Sequence, residues 1–594
     1  MRRFNLLVAS VAALSLACPA AAQYHDDLSD ASHQEHAAHD SQPTGPAAPV
    51  PAQIDDLNWQ TELGFEPEAF RSHVLFLGDD LLEGREAGTR GHELAARYVA
   101  SQFAGLGVLP GNGDSWFQSV RLGRGTLAGD PRLTIGDRVF TYGQSFIFTN
   151  TFTPQPVSVN APLVFVGYGI DAPAQGHDDY RGLDVRNKVV VVVGGLPQGL
   201  PSDVATHLGA ARAQMAASRG AVGMIVLRPP SATAMAPLAN TANALRRQTV
   251  TTWVNQRGGA GPVHQQLRFT ATGDAELASA IFAGAPRTWD QIAADVAAGR
   301  RPAGFALRPT VRAERAMRTE TFTSPNVVGI IPGTDPSVAN EYVLLMAHLD
   351  GVGMVPEGGD QQPNASTGAG TGDRIRNGAM DNSTGVATLI EVARKFRDPA
   401  NRPRRPILLA AVTAEEKGLL GAGFLASNPV VNGRVVGLVN LDMPILTYNF
   451  EDVVAFGAEH SEMGPMVRRA AEAMGVRLSN DPLPEQGLFT RSDHYPFVQQ
   501  GIPAVFLMTG FANGGEERFR GFLENQYHSV RDDLTLPFDW RAGARFAELN
   551  YRITRELANA PAAPRWYRGS FFGDTLGGNQ PRAARPAAAA TGSN

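Results

Sequence analysis

Residues 408–426 read LLAAVTAEEKGLLGAGFLA: an apolar run, then two adjacent carboxylates at Glu415 and Glu416, then a glycine-rich turn. The run has the length and composition of a strand covered on both faces. Two negative charges at the end of such a strand repel one another, and in a dry site one would take up a proton. The pair therefore calls for a positive partner that the chain does not itself provide.

Working outward, the same pattern recurs. YVLLMAHLD (342–350), PILLAAVTAEE (406–416), VVGLVNLDM (435–443) and PAVFLMTG (503–510) are continuous apolar runs, with a helical stretch at 384–396 between the first two. Alternating strands and helices predict an α/β class with a mostly parallel core sheet. In such sheets ligands gather outside the carboxyl ends of the strands. The first run ends in His348 and Asp350, the second in Glu415 and Glu416, and the third in Asp442. Asp381, in NGAMDNSTG, precedes the helix whose apolar stripe is Val386, Leu389, Ile390, Ala393 and Phe396; taken alone it reads as a helix cap. His528, in NQYHSVRDD, lies in a loop after the fourth run and taken alone reads as solvated. Together His348, Asp381, Glu416, Asp442 and His528 are ligand types that bind zinc.

The motifs AHLDGVG, NGAMDNSTG, TAEEKGLLGA, VNLDM, RSDHYPF and YHSVRDDL occur in that order over 320–555. In this they resemble metallopeptidase family twenty-eight, the co-catalytic zinc aminopeptidases that also include glutamate carboxypeptidase II. The resemblance implies the zinc exopeptidase fold and two zinc ions per chain. His348 and Asp442 would hold one ion, Glu416 and His528 the other, and Asp381 would bridge them. Glu415 remains as general base toward the attacking water. Asp350, two residues from His348 along an extended strand, is expected to hold the other imidazole nitrogen. Tyr527 would donate a hydrogen bond to the tetrahedral oxyanion, and Asp493 and His494 would shape the pocket. Peptide substrates follow, and an aminopeptidase is the first reading. A carboxypeptidase of the same fold would need a basic pocket, with Arg374, Arg376 and Arg491 as candidates. A glutaminyl cyclase would lack the first histidine, and a receptor-like protein would have lost ligands or the base; all of those positions are filled here.

A length of 594 residues implies more than one core. The first 22 residues, MRRFNLLVASVAALSLACPAAA, have the arginines, short apolar stretch and small-residue end of a signal peptide cut before Gln23. The expected location is therefore periplasmic or secreted, with a lipoprotein anchor at Cys18 as the alternative. Cys18 is the only cysteine, so the mature chain has no disulfide. Residues 23–55 read as a disordered lead rich in His and Pro, and 56–155 as the N-terminal part of the peptidase domain. In 156–310 short strand-like runs (PLVFVGYGI, KVVVVVGGL, VGMIVLRPP) and one helical stretch at 209–219 suggest a small β-rich insert. It resembles a protease-associated domain. The peptidase domain proper fills 311–560, and 561–594 read as an Ala/Pro-rich tail with Trp566 and Phe571 or Phe572 as anchors. The 52 Lys and Arg against 58 Asp and Glu, without a basic run, argue against nucleic acid as a partner. No later segment has the roughly 20 apolar residues of a membrane span. A long glycine-rich loop between Asp350 and Asp381 is expected to rim the substrate groove.

Overall fold

The computed structural model describes residues 64–149, 151–229, 237–255, 267–355 and 372–586. The four apolar runs form the expected parallel core. Ile407–Val412, Glu341–His348, Arg434–Leu441 and Ala504–Thr509 lie side by side in that order, all parallel. Both faces are covered: Val343, Leu344, Leu345, Met346 and Ala347 are each 0% exposed. Burial of each large side chain contributes on the order of 1.5–3 kcal/mol. That is why the runs are continuous rather than alternating.

Antiparallel strands extend this sheet on both sides. Met317–Ile331 pairs with Ile407–Val412 and with Phe117–Leu127, and Asp452–Phe456 pairs with Ala504–Thr509. The helices Pro67–Leu77, Thr384–Phe396 and Trp540–Asn559 pack against the core. Ahead of the core, the stretch GREAGTRGHELAARYVASQFAGLGV carries a helix from Arg90 to Leu106, capped by the Thr89 side chain and ended by Gly107 at φ +75°.

A second sheet has its own core of buried residues, among them Phe146, Ile225, Leu277 and Val311. Its strand order is Arg138–Phe140, Arg132–Ile135, Phe305–Arg315, Val157–Phe165, Val189–Val193, Gly223–Leu227, Thr270–Gly273 and Phe146–Phe148. It thus takes in three short strands that lie ahead of residue 156. The helical stretch read at 209–219 is a longer helix, Ser202–Ser218, and the unit carries further helices at Ala275–Ile281 and Trp289–Ala297. One strand of the intervening segment, Val250–Trp253, leaves this unit and pairs with Phe117–Leu127 at the edge of the first sheet.

The segment after 560 is pinned as far as it is described: Trp566 and Phe572 are each 0% exposed, and the Trp566 indole donates to the Gly501 carbonyl at 2.8 Å. Among the described residues no helix is long and apolar enough to cross a membrane. The signal peptide, the His-rich lead and most of the expected rim loop (356–371) lie outside the described residues.

Candidate metal centre and active site

The carboxyl ends of three adjacent parallel strands deliver His348, the Glu415–Glu416 pair and Asp442 to one place. The turn Ala379–Ser383 brings Asp381, and the segment after the helix Gly515–Asn525 brings His528. Three non-glycine residues at or beside these groups adopt left-handed backbone: Ala414 at φ +55°, Met443 at φ +46° and His528 at φ +55°. Such conformations are uncommon and cost free energy, and they persist where the surrounding fold fixes a side chain's direction. Gly378 turns the chain into the Asp381 segment at φ +61°; a Cβ there would meet the Asp381 carbonyl at 2.3 Å.

Two clusters share one aspartate. His348 Nε2 lies 3.1 Å from Asp381 Oδ1 and 3.1 Å from Asp442 Oδ1. His528 Nε2 lies 3.4 Å from Asp381 Oδ2 and 2.9 Å from Glu416 Oε2. The two oxygens of Asp381 therefore face different histidines, so the carboxylate stands between two imidazole–carboxylate sets. In each set the donor atoms lie within 4.8 Å of one another. Glu415 offers an oxygen within the same span of His348 and Glu416. Asp381 does not cap the following helix; Asn382 Oδ1 instead accepts the N–H of Gly385 in its first turn at 3.0 Å.

Asp350 acts differently from the expectation. The Nδ1 of His348 faces the Asp350 main-chain carbonyl at 3.1 Å, while the carboxylate Oδ1 is 4.0 Å away. The carboxylate instead accepts the N–H groups of Glu415 at 3.0 Å and Glu416 at 3.3 Å. Asp350 thereby ties the first strand end to the backbone of the glutamate pair. Tyr527 stacks on His528 with ring centroids 3.8 Å apart. Asp493 is fully buried with neither oxygen hydrogen-bonded, and His494 faces the Phe489 carbonyl at 2.6 Å.

Supporting groups that the sequence did not reveal complete the site. The Ser492 hydroxyl donates to Asp442 Oδ2 at 2.6 Å and accepts from the Asn440 amide at 2.7 Å. Asp532 accepts the N–H groups of Met380 at 2.7 Å and Asp381 at 3.0 Å, fixing the turn that carries the shared carboxylate. Arg85 is buried, and its guanidinium donates to the carbonyls of Leu77, Leu349, Asn377 and Gly378. Ser492 and Asp532 sit inside RSDHYPF and YHSVRDDL, so position within those motifs was their one available signal. Of the three arginines considered for a basic pocket, Arg374 donates to the Val355 carbonyl, Arg376 is half-buried beside Glu86 and Glu416, and Arg491 is exposed.

Negative charge exceeds positive charge in this space. Burial opposes a proton on His348, yet Asp442 and Glu415, with hydrogen bonds to Asp381 and Asp442, raise its pKa well above the usual imidazole range. Burial is likewise outweighed at His528, where Glu416 and Asp381 push the value to about 10. Burial drives Glu415 well up, and Asp442, Asp493 and Glu416 add to it against His348. Burial also lifts Asp350 to about 7 and Asp532 to about 8. Asp381 runs the other way: burial would raise it, but hydrogen bonds from both histidines hold it well below the carboxylate range. Carboxylates crowded around two imidazoles, drawn from three strand ends, a turn and a loop, form a donor set of the N and O type that zinc accepts. The residues fit two such ions, one in each set, with Asp381 common to both.

Residues 326–554 match the sequence profile of Peptidase family M28. The match covers a domain-sized segment, under half of the chain. A probable zinc metalloprotease of Leptosphaeria maculans is 28% identical over 221 residues, which cover 32% of this chain and 50% of that protein. Leupeptin-inactivating enzyme 1 of Streptomyces exfoliatus is 25% identical over 293 residues, 46% of this chain and 57% of that protein. The chain thus spans about half the length of the curated relatives it matches. Among solved structures, an aminopeptidase from Aneurinibacillus sp. strain AM-1 aligns with a TM-score of 0.45 and 18% identity, over 84% of this chain and 95% of that one. All the metal-site candidates, from His348 to His528, fall within the matched segment.

Proposed function

We propose that the protein is a zinc-dependent exopeptidase that removes N-terminal residues from peptides, with two zinc ions per chain and Glu415 as general base. The observation that carries this is the division of Asp381, one oxygen 3.1 Å from His348 and the other 3.4 Å from His528. A carboxylate so placed serves two cations at once.

His348, Asp442 and Asp381 would hold one zinc, and Glu416, His528 and Asp381 the other. Bound zinc would polarise the scissile carbonyl and acidify water. Glu415 accepts the proton of the attacking water and passes it to the departing amine, a role in which a positioned base contributes about 10²–10⁴-fold. Asp350, by holding both N–H groups of the pair, sets the direction from which Glu415 reaches the substrate. The Tyr527 phenol is kept protonated by burial and by Asp381, Glu416 and Glu415, so it remains a donor for the tetrahedral oxyanion. A free amino terminus finds its counter-charge among Glu415 and its carboxylate neighbours, which selects a chain end.

Export through residues 1–22 and a protease-associated role for the second unit belong to the same proposal. The test compares aminoacyl chromogenic substrates with N-blocked analogues, before and after chelation. Activity on free amino termini alone, lost with chelator and restored by Zn²⁺, supports the assignment. Hydrolysis only of substrates with a free carboxyl terminus would turn it into a carboxypeptidase.

A further inference from the structure

Outside the central site, a second imidazole–carboxylate arrangement lies where the two units meet. The helix Ser202–Ser218 of the second sheet's unit presents Asp203 and His207, one turn apart, to the peptidase unit. His207 pairs with the Tyr495 hydroxyl and packs against Phe571 and Phe572. Asp203 Oδ2 lies 3.0 Å from His460 Nε2, and the same nitrogen lies 3.4 Å from Glu459 Oε1. His460 Nδ1 is 3.3 Å from the Ser570 hydroxyl, which fixes the ring. These donor atoms all lie within 4.8 Å of one another.

One nitrogen facing two carboxylate oxygens at near-contact distance is the arrangement seen at His348 and again at His528. A single N–H can satisfy one of the two oxygens well, whereas a cation beside the nitrogen satisfies both. The charge balance points the same way. Asp481 is raised by burial and by Glu459, Glu485 and Asp203, and among the described residues no lysine or arginine pairs with Asp203, Glu459 or Asp481. The contrast within the molecule is Glu391. His73 lies 3.4 Å from it, but Arg394 also pairs with it at 2.6 Å, so that carboxylate is already neutralised. Among the described residues the His460 cluster has no such arginine.

We propose that Asp203, Glu459 and His460 form a further site for a divalent transition cation of the zinc class, joining the first turn of the 202–218 helix to the Ala458–His460 turn. Imidazole among the donors favours zinc or a similar borderline ion over calcium or magnesium. His460 and Asp203 are largely enclosed, with side chains 10% and 21% exposed, and Glu459 at 57% closes the site from the solvent side. Water completes the coordination. The ion is structural: it fixes the second unit against the peptidase unit and touches no group assigned to catalysis.

The experiment uses the full-length protein, stripped with chelator, reloaded with Zn²⁺ and dialysed, with zinc per chain measured by elemental analysis. His460→Gln, Asp203→Asn and Glu459→Gln are each compared with the unsubstituted chain. Each variant is expected to retain one zinc equivalent fewer, and to show a smaller zinc-dependent rise in thermal midpoint. Because Glu459 is the most exposed of the three, its variant keeps the test open if another fails to fold. The readout is a difference between chains sharing one central site, so an error in the central stoichiometry cancels. Equal zinc in variants and unsubstituted protein overturns the proposal. So does a lower midpoint that is the same with and without zinc, which would make the cluster a plain ion pair.

Discussion

Exchanging the two adjacent glutamates separates their roles. Glu416 Oε2 lies 2.9 Å from His528 Nε2, inside one ligand set, while Glu415 reaches toward His348 from a backbone held by Asp350. Glu415→Gln keeps the side chain's size and leaves the N–H of residue 415 on Asp350, so fold and metal content should be unchanged. Removing one of several crowded carboxylates even relieves repulsion. What is lost is proton acceptance. Loss of a general base lowers turnover about 10²–10⁴-fold, which at 1.36 kcal/mol per decade is about 3–5 kcal/mol of transition-state stabilisation. Glu416→Gln instead removes a ligand charge, so zinc affinity should fall in the set shared with His528. Steady-state kinetics on an aminoacyl chromogenic substrate, with elemental analysis of the same samples, reads both effects. If Glu415→Gln loses metal while Glu416→Gln keeps two ions and loses only turnover, the roles are reversed.

Ser492→Ala removes the donor to Asp442 and leaves the Asn440 amide without its acceptor; zinc affinity should fall about 10–100-fold by chelator competition, as for other outer partners of metal ligands. Arg85→Met strips four carbonyls of their buried donor and takes one positive charge from beside Asp532, Asp350 and Asp381, so urea unfolding should show a loss of about 3–5 kcal/mol. A loss below about 1 kcal/mol would contradict that account. Burial pushes His92 and His207 down to about 4, so both are neutral in the folded chain at neutral pH. A histidine with a depressed folded value contributes stability that is present above its unfolded pKa, near 6.5, and is lost as pH falls toward 4. Thermal midpoints should therefore drop across that window, and His207→Gln should flatten the drop.

The parallel core was legible because strands buried on both faces have no polar register to hide in. The candidate set was legible because a sheet of this kind gathers polar side chains at its strand ends, where a charged residue after an apolar run stands out. The support around those ligands was not. Arg85 reaches Gly378 across 293 positions and Ser492 reaches Asp442 across 50, so no local pattern links them. The left-handed turns at Ala414 and His528 leave no residue-type signature either, since neither position is glycine.

The role of Asp350 shows where spacing arguments stop. Two residues along an extended strand should return a side chain to the same face, and on that basis its carboxylate belonged on the His348 imidazole. The strand ends at His348, however, and the residues just beyond it belong to no strand. There the main-chain carbonyl of Asp350 meets the imidazole, and the carboxylate collects two N–H groups from the neighbouring strand's end. Alternation holds only while the strand holds, and a site built just past a strand's last residue lies where alternation no longer applies. Asp350→Asn tests the consequence. An amide there retains one acceptor but turns an NH₂ group toward a backbone N–H, so the glutamate pair should shift. Turnover should then fall while His348, held by a main-chain carbonyl, keeps its metal. Loss of the metal at His348 without loss of turnover from the remaining site would show that the carboxylate serves the imidazole after all.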